Sequence, residues 1–240
     1  MINDRQIQLL NAIISEYVKT SEPVGSVEIV KKYKFGFSPA TARNEMSRLL
    51  DLGFLQMLHT SSGRIPTPMA YRFLLDEILE EIEIPVLQEV AMKQRLWPSR
   101  FEFYKLLKQA VVTLSEHVKE TTFATTESGH IVTAGTVNIL DHKEFWDIEV
   151  AKTALHILDR YEILSDILDK GQSEKGVCCL IGDEIELGNM SECAFVFSKY
   201  SVGNKSGYIS VMGPSRMNYG SIIPAVRYTK DLLEELGESW

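Results

Sequence analysis

Residues 37–72 read FSPATARNEMSRLLDLGFLQMLHTSSGRIPTPMAYR, and this stretch predicts a capped helix followed by a short strand pair. Ser38 stands at an N-cap position, and Pro39 stands at the first helical position, where a missing N–H costs nothing. Gly53 follows the helix, where a left-handed residue is favoured. A polar helix followed by two strands around a small basic loop indicates the recognition helix and wing of a DNA-binding domain.

The predicted recognition helix has an apolar face and a polar face. Its inward side chains should be Ala42, Met46, Leu49 and Leu50. The polar face carries short or forked hydrogen-bonding groups, which can enter a major groove and meet base edges and phosphates. The DNA-binding candidates on this helix are Ser38, Ala40, Thr41, Arg43, Asn44, Ser47 and Arg48.

The predicted wing loop supplies the other DNA-binding candidates, which are His59, Thr60, Ser61, Ser62, Gly63 and Arg64. Gly63 is expected to turn the loop with a positive φ. The hydroxyl groups can bond phosphate oxygens, and Arg64 can reach a phosphate or a narrow minor groove. A solvated hairpin is the alternative for this loop, but helix and loop together in this order favour DNA binding.

Two helices are predicted before the recognition helix, as a helix-turn-helix requires. Asn3 should cap a helix over residues 4–19, and Ser26 should cap a second, shorter helix. After Gly53, residues 54–58 are predicted as one wing strand and Ile65 as the start of the return strand.

Three motifs in this region carry a family resemblance. They are EPVGS at residues 22–26, SPATARNEM at 38–46 and HTSSGRIPT at 59–67. In this order and spacing they closely resemble the N-terminal winged-helix domain of the HrcA family, the heat-inducible transcription repressors of bacteria. GTVNIL at 135–140 and GYISVMGPSRMNY at 207–219 are similar to the family's C-terminal regulatory domain.

The resemblance implies a homodimeric repressor that binds an inverted-repeat operator of the CIRCE type in double-stranded DNA, ahead of chaperone genes. It also implies that the GroEL chaperonin maintains the DNA-competent population. Family members typically carry a longer middle region, in which a small dimerising insertion interrupts a GAF-like domain. Here a single helix and a hairpin around residues 128–129 span that interval, so this chain is a shortened member.

The fold class predicted is α+β, in three parts. A winged helix-turn-helix domain occupies residues 1–83, a helical connector with a possible dimerisation role occupies 84–120, and a GAF-like antiparallel sheet domain occupies 121–240. A helix is expected to open at Thr67-Pro68 and run to about residue 81. Strands are predicted at 122–126, 131–134, 177–181, 194–200 and 208–212, a turn at 204–207, and helices at 148–168 and 219–236.

The charge distribution predicts a weak single DNA-binding module. The chain carries a net charge of −8, but residues 27–66 hold 6 basic and 3 acidic residues, a local charge of +3. Useful affinity for a phosphate backbone would therefore need two modules on one site, which favours a homodimer. The predicted seam on the helix at 99–120, with core packing as its alternative, consists of Phe103, Leu107, Ala110 and Leu114. The C-terminal helix is a second possible seam.

Other function classes lack their motifs. The chain has no GxxxxGK[ST] or GxGxxG loop, and its three Cys and five His residues show no metal-ligand spacing. No catalytic residue, metal or cofactor is therefore expected, and Arg216 and Asn218 should fix a strand-to-helix corner. No stretch approaches the roughly 20 apolar residues that span a bilayer, and the N-terminus lacks signal-peptide features, so no membrane association and a cytoplasmic location are expected.

Two alternatives to a DNA-binding repressor of this kind stay open. One is a winged-helix regulator that is controlled by a small-molecule ligand in the GAF-like domain. The other is a protein-interaction module whose winged helix does not contact DNA.

Overall fold

The computed structural model describes residues 2–59, 62–171 and 176–237, and it divides the chain into two units, Met1–Leu79 and Glu80–Trp240. Helices combine with an antiparallel sheet, so the α+β class is confirmed. The predicted connector at residues 84–120 is not a separate part, because its helices lie inside the second unit and pack there.

The first unit contains three helices, a two-stranded hairpin and a short final helix. These are α1 (Asp4–Thr20), α2 (Ser26–Tyr33), α3 (Pro39–Asp51), β1 (Leu55–Gln56), β2 (Ile65–Pro66) and α4 (Pro68–Phe73). Asn3 caps α1 through a capping box with Gln6, as the sequence indicates. Ser26 does not cap α2: Gly25 is the N-cap, and it makes no side-chain cap bond. The predicted helix to residue 81 ends early, in a π-helical turn over Leu74–Ile78.

In the described residues of the second unit, five helices pack around a sheet, with short 3₁₀ turns between some of the elements. Its helices are α5 (Val86–Leu96), α6 (Phe103–Val118), α7 (Ile148–Leu158), α8 (Tyr161–Leu168) and α9 (Tyr219–Gly237). Its strands are β3 (Thr121–Thr125), β4 (Ile131–Ala134), β5 (Val177–Ile181), β6 (Cys193–Val202) and β7 (Lys205–Pro214). The 3₁₀ turns are Trp97–Ser99, Thr136–Asp141, Lys143–Phe145 and Gly182–Ile185.

The five-stranded sheet has the order β4-β3-β7-β6-β5, and every neighbouring pair is antiparallel. Helices α6 and α9 contact one face, where the Thr122 hydroxyl donates to the carbonyl of Val111 on α6 at 2.8 Å. Alternate residues point to the other face, where Phe123, Phe195 and Met212 join the core formed with α7 and α8. Both faces of the sheet are therefore covered by helices.

Two boundaries in the second unit also differ from the prediction. The single helix expected over residues 148–168 is two helices, which are separated at Asp159 and Arg160. The turn between β6 and β7 is at Gly203 and Asn204 rather than at residues 204–207, because both strands are longer than expected.

The proposed dimer seam on α6 is corrected by the structure. Exposures are 4% for Phe103 and 0% for Leu107, Ala110 and Leu114, since α6 packs against β3, β4 and α9. The apolar face of α9 is likewise buried in the second unit. These side chains form the core of one chain, which was the alternative interpretation, so a second copy could not reach them.

Candidate nucleic-acid interface

Helix α3 begins where the sequence predicts, because Ser38 and Pro39 set its first turn. The backbone N–H of Thr41 donates to the Ser38 Oγ at 3.1 Å, and the hydroxyl oxygens of Ser38 and Thr41 lie 3.0 Å apart. Ala42, Met46 and Leu49 are buried beneath the helix. The Ser38 and Thr41 hydroxyls therefore form part of the cap and lie at the start of the outward face.

The outward face of α3 carries the predicted polar row. Ala40, Arg43, Asn44 and Ser47 are all exposed. Within the described part of the chain, Arg43 and Asn44 have no hydrogen-bond or ion-pair partner for their side chains. Because no hydrogen bond or ion pair of the described residues uses these two side chains, they can bind an external ligand.

Arg48 lies beside the same row but is held by Glu45, a residue that the sequence reading did not single out. The Arg48 Nη1 lies 3.3 and 3.4 Å from the two carboxylate oxygens of Glu45. Glu45 is buried and also accepts a 2.9 Å hydrogen bond from the Gln6 Nε2, which ties α3 to α1. Since the Arg48 side chain is 63% exposed, its pair with Glu45 is worth little and can exchange for a phosphate.

The loop between β1 and β2 is closed by Ser62. Its Oγ accepts from the backbone N–H of His59 at 3.0 Å and donates to the His59 carbonyl at 2.7 Å. Arg64 is half-buried: its Nη1 donates to the Ser62 carbonyl at 3.1 Å, and its Nε has no partner in the described residues. The candidates Thr60 and Ser61 lie outside the described residues.

Gly63 is needed for a different reason from the one expected. Its φ is not in the left-handed region; instead, a Cβ at this position would lie 2.7 Å from backbone atoms of Pro23 and Val24. Val24 and Arg64 exchange two backbone hydrogen bonds, each of 2.9 Å. The turn motif at residues 22–26 is thus joined to the hairpin, a pairing that the local sequence pattern could not reveal.

Some of the local positive charge is already neutralised. Lys32 lies 2.6 Å from Glu16, and this hydrogen bond raises the pKa of Lys32. Lys31 and Lys34 are exposed on α2 and at its end. The electrostatic attraction of one unit for a polyanion is therefore smaller than the count of +3 over residues 27–66 suggests.

The second unit contains a buried polar cluster, which consists of Glu120, His142, Glu144 and Arg216. The Arg216 Nε and Nη2 donate to the two Glu144 oxygens at 2.6 and 3.1 Å, and His142 Nε2 lies 2.8 Å from the Glu120 carboxylate. The Arg216 Nη2 is also 3.4 Å from the His142 Nδ1. Burial raises the pKa of Glu120, although the His142 hydrogen bond opposes this shift.

Within this cluster, Arg216 has a structural role. Its guanidinium joins the corner between β7 and α9 to the 3₁₀ turn Lys143–Phe145. Asn218 accepts from the backbone N–H of Ile222 through its carbonyl, in the first turn of α9. The Arg216 contact agrees with the corner role expected from the sequence, whereas the Asn218 bond is made by its backbone, so the role of the Asn218 side chain stays a prediction.

The described residues contain neither a metal-ligand cluster nor a membrane-spanning helix. No group of three or more His, Cys, Asp or Glu side chains there could hold a metal ion. Cys193 is buried, and this raises the pKa of its thiol to about 12. No helix in the described ranges combines the length and the apolar character needed to cross a membrane.

Comparison with known proteins places this architecture among transcription repressors. The family model for the HrcA protein C terminal domain matches residues 72–223. The heat-inducible transcription repressor HrcA of Pelotomaculum thermopropionicum is 29% identical, over 98% of this chain and 97% of that protein. The HrcA of Clostridium perfringens strain 13 is 27% identical, over 100% and 99%. The alignments run over 337 and 341 positions against 240 residues, so the relatives hold residues without a counterpart here.

A solved structure shows the same fold. The crystal structure of a hypothetical protein at 2.2 Å resolution matches with a TM-score of 0.79 and 19% identity, covering 100% of this chain and 99% of that one.

Proposed function

The chain belongs to the HrcA family of heat-inducible transcription repressors, and we propose that its first unit is a winged-helix domain that binds double-stranded operator DNA. Its relatives are named as repressors, so the chain is a transcriptional regulator and not an enzyme. In this proposal α3 is the recognition helix, and the loop between β1 and β2 is the wing. Because this function is carried out on DNA in the cytoplasm, we infer that the protein is cytoplasmic.

One observation carries the proposal: α3 exposes Arg43, Asn44 and Ser47, and no described residue forms a hydrogen bond or ion pair with the side chains of the first two. Arg reads guanine and Asn reads adenine through bidentate hydrogen bonds in a major groove. The N-cap end of the same helix carries Ser38 and Thr41, whose hydroxyls can bond phosphate oxygens. A helix that served only to pack would not require this set of side chains.

We propose further that the operator is an inverted repeat of the CIRCE type ahead of chaperone genes and that the chain binds it as a homodimer. Two recognition helices related by a two-fold axis would read half-sites about 34–36 Å apart, or a multiple of that. One unit has modest charge, and two linked units gain affinity through effective concentration. The family resemblance adds GroEL as the partner that maintains DNA-competent repressor, so that heat stress lowers the active population.

We assign the second unit as a GAF-like regulatory domain. Its sheet is antiparallel and covered by helices on both faces, and the space beneath α7 and α8 is filled by Phe123, Phe145 and Phe195, which are at most 1% exposed. A filled interior favours a structural use of this domain over the alternative of a small-molecule sensor.

The proposal is tested by DNA footprinting on the organism's own chaperone promoters, followed by binding of two variants. Arg43→Ala and Asn44→Ala should each lose roughly 1–3 kcal/mol on the operator while non-specific binding is kept. Arg160→Ala, an exposed Arg of the second unit, is the matched control and should bind like the unmodified chain. Equal losses on operator and random DNA would remove Arg43 and Asn44 from base recognition.

The variant Arg64→Ala tests whether the loop between β1 and β2 is a DNA-binding wing or a solvated hairpin. If its guanidinium leaves the Ser62 carbonyl for a phosphate, the variant should weaken specific and non-specific binding alike. The slope of log affinity against log salt should then fall by about one. An unchanged slope would favour the solvated hairpin.

A further inference from the structure

Two arginines from different helices meet at one buried carboxylate in the first unit. The Glu45 side chain on α3 is 6% exposed, and its Oε1 lies 3.3 Å from the Arg48 Nη1 and 3.9 Å from the Arg5 Nη1. Because both nitrogens lie against the same oxygen, the two guanidinium groups are neighbours on the surface. Arg5 belongs to the first turn of α1, far from Arg48 in the sequence, so the local pattern does not reveal this arrangement.

Arg5 is held in this position by its surroundings. Its guanidinium carbon lies 5.7 Å from the centre of the Phe37 ring, which is within the range of a cation–π contact. The Phe37 ring is itself stacked on Phe35, with the ring centres 4.9 Å apart. The capping box of Asn3 and Gln6 fixes the first turn of α1. An arginine that is already held loses less conformational entropy when it binds a ligand.

Both arginines keep hydrogen-bond donors for a further ligand. The Arg48 side chain is 63% exposed and the Arg5 side chain 54%. Arg48 bonds to Glu45 through Nη1 alone, and within the described residues no hydrogen bond uses its Nε, its Nη2 or any N–H group of the Arg5 side chain. A guanidinium group carries five N–H donors in a planar fork that matches a phosphate. One anion can therefore bind both groups at once.

The negative charge of Glu45 is not needed for its other contact. The Glu45 Oε2 accepts a 2.9 Å hydrogen bond from the Gln6 Nε2, and a neutral amide oxygen could accept the same bond. A buried carboxylate needs positive partners, but ion pairs with partners that are more than half exposed stabilise a fold only weakly. The charge is therefore better explained by the placing of the two guanidinium groups than by the stability of the fold.

The two arginines lie at the edge of the proposed recognition surface. Arg48 follows Asn44 by one helical turn on α3, so these two side chains are on the same side of the helix. Arg5 lies beside Arg48, on the flank that α1 forms. A helix that reads base edges in a groove is flanked by backbone phosphates, and arginines beside such a helix commonly bind them.

We propose that Arg5 and Arg48 together bind a phosphate group of the DNA backbone and that Glu45 positions both guanidinium groups for it. The inference rests on the proposed function, because it takes α3 as the helix that meets the DNA. It adds α1 to the DNA-binding surface through Arg5. Glu45 itself repels a phosphate, so it acts only through the two arginines.

The phosphate contact is tested by measuring DNA binding over a series of salt concentrations. Arg5→Ala should weaken binding to operator and to random DNA alike, by roughly five- to tenfold at about 0.1 M salt, and should lower the slope of log affinity against log salt by about one. Lys19→Ala is the matched control, because it removes the same charge from an exposed position in the last turn of the same helix. An unchanged slope for Arg5→Ala, or equal losses in the two variants, would overturn the contact.

The positioning role of Glu45 is tested through the sign of a charge change. Glu45→Gln keeps an oxygen that can accept from Gln6 but makes the unit more positive, so a carboxylate that merely repels DNA would give a gain in affinity when it is replaced. Positioning predicts a loss of roughly threefold instead. Glu28→Gln, the same charge change at an exposed position on α2, should bind no more weakly than the unmodified chain.

A double-mutant cycle separates positioning from a general effect on the fold. In a chain that also carries Arg5→Ala and Arg48→Ala, Glu45→Gln should cause no further loss of affinity, because the groups that it positions are gone. A loss that persists in that background would show that Glu45 acts through the fold. A gain of affinity from Glu45→Gln alone would also overturn its positioning role.

The same measurements separate this inference from the proposed function. Operator binding by the unmodified chain, with no effect of Arg5→Ala, would uphold the proposed function and contradict the inference. Binding that depends on Arg5 and Arg48 but shows no preference for any operator would do the reverse. An unmodified chain that binds no DNA would contradict both.

Discussion

The two units use their distinctive polar side chains in opposite ways. In the first unit, Arg43 and Asn44 are exposed on α3, and their side chains make no hydrogen bond or ion pair within the described residues. In the second unit, Arg216 and Glu144 are about 90% buried and bond to each other at 2.6 and 3.1 Å. One set is displayed and the other holds two segments together, although both lie in motifs that resemble the same family.

The difference shows how function can be separated from stability. A buried charge must be paired, because leaving it alone in a low-dielectric interior is expensive. Its presence therefore needs no explanation beyond the fold. An exposed Arg or Asn side chain adds little to stability. The polar side chains on the outward face of α3 are therefore better explained by ligand binding than by the fold.

Arg216→Ala should produce the largest loss of stability. It leaves the Glu144 carboxylate buried without its bidentate partner, and breaking such a pair typically costs about 3–5 kcal/mol. Urea denaturation should show this loss in the second unit. Arg160→Ala, which alters an exposed Arg, should change the free energy of unfolding by less than about 0.5 kcal/mol.

A double variant sharpens this prediction. Arg216→Met combined with Glu144→Met removes both charges and keeps apolar bulk, so much of the lost stability should return. A double variant as unstable as Arg216→Ala would mean that shape, and not the unpaired charge, is responsible.

Glu45→Ala should have the next largest effect. It removes the acceptor of the 2.9 Å bond from Gln6 and releases α3 from α1, at a cost of roughly 1.5–3 kcal/mol in the first unit. Hydrogen exchange in α1 and α3 would report the loss. Glu28→Ala, at an exposed position on α2, is the control, and an equal effect there would contradict the assigned role.

Gly63→Ala should cost roughly 1–3 kcal/mol, because its Cβ would press on the backbone of Pro23 and Val24. The amide protons of Val24 and Arg64 should then exchange faster. Gly36→Ala is the matched control, since a Cβ there would meet nothing within 4 Å. If Gly63→Ala leaves the free energy of unfolding unchanged, the hairpin can move away from the added Cβ without loss of stability.

Local signals predicted the elements of the first unit well, because caps act within a few residues. The Asn3 and Ser38 caps and the left-handed Gly53 are present as expected. Contacts between distant segments could not be read in this way. The pairing of Val24 with Arg64 joins positions 40 residues apart, and periodicity cannot show which strand edge a turn will meet.

The apolar face of α6 shows a second limit of prediction from sequence. The same spacing serves core packing and helix pairing, and only the sheet and α9 decide in favour of the core. The sequence also does not reveal the roles of Glu45, Glu120 and His142, because it does not distinguish a buried acidic or histidine side chain from a solvent-exposed one. Their burial follows from tertiary structure alone.

Glu120→Gln tests the buried cluster through pH and should have the smallest effect. Burial raises the pKa of Glu120, so the folded chain keeps this proton to a higher pH than the unfolded chain does, while His142 and Arg216 oppose the shift. Stability from this group is therefore lost as pH rises from the unfolded pKa, near 4.3, through the raised folded value. Glutamine has no proton to lose, yet its amide oxygen can still accept from His142. The unfolding free energy of the variant, measured in urea between pH 4 and 8, should fall less with rising pH than that of the unmodified chain. Parallel curves would show that Glu120 titrates alike in the folded and unfolded states.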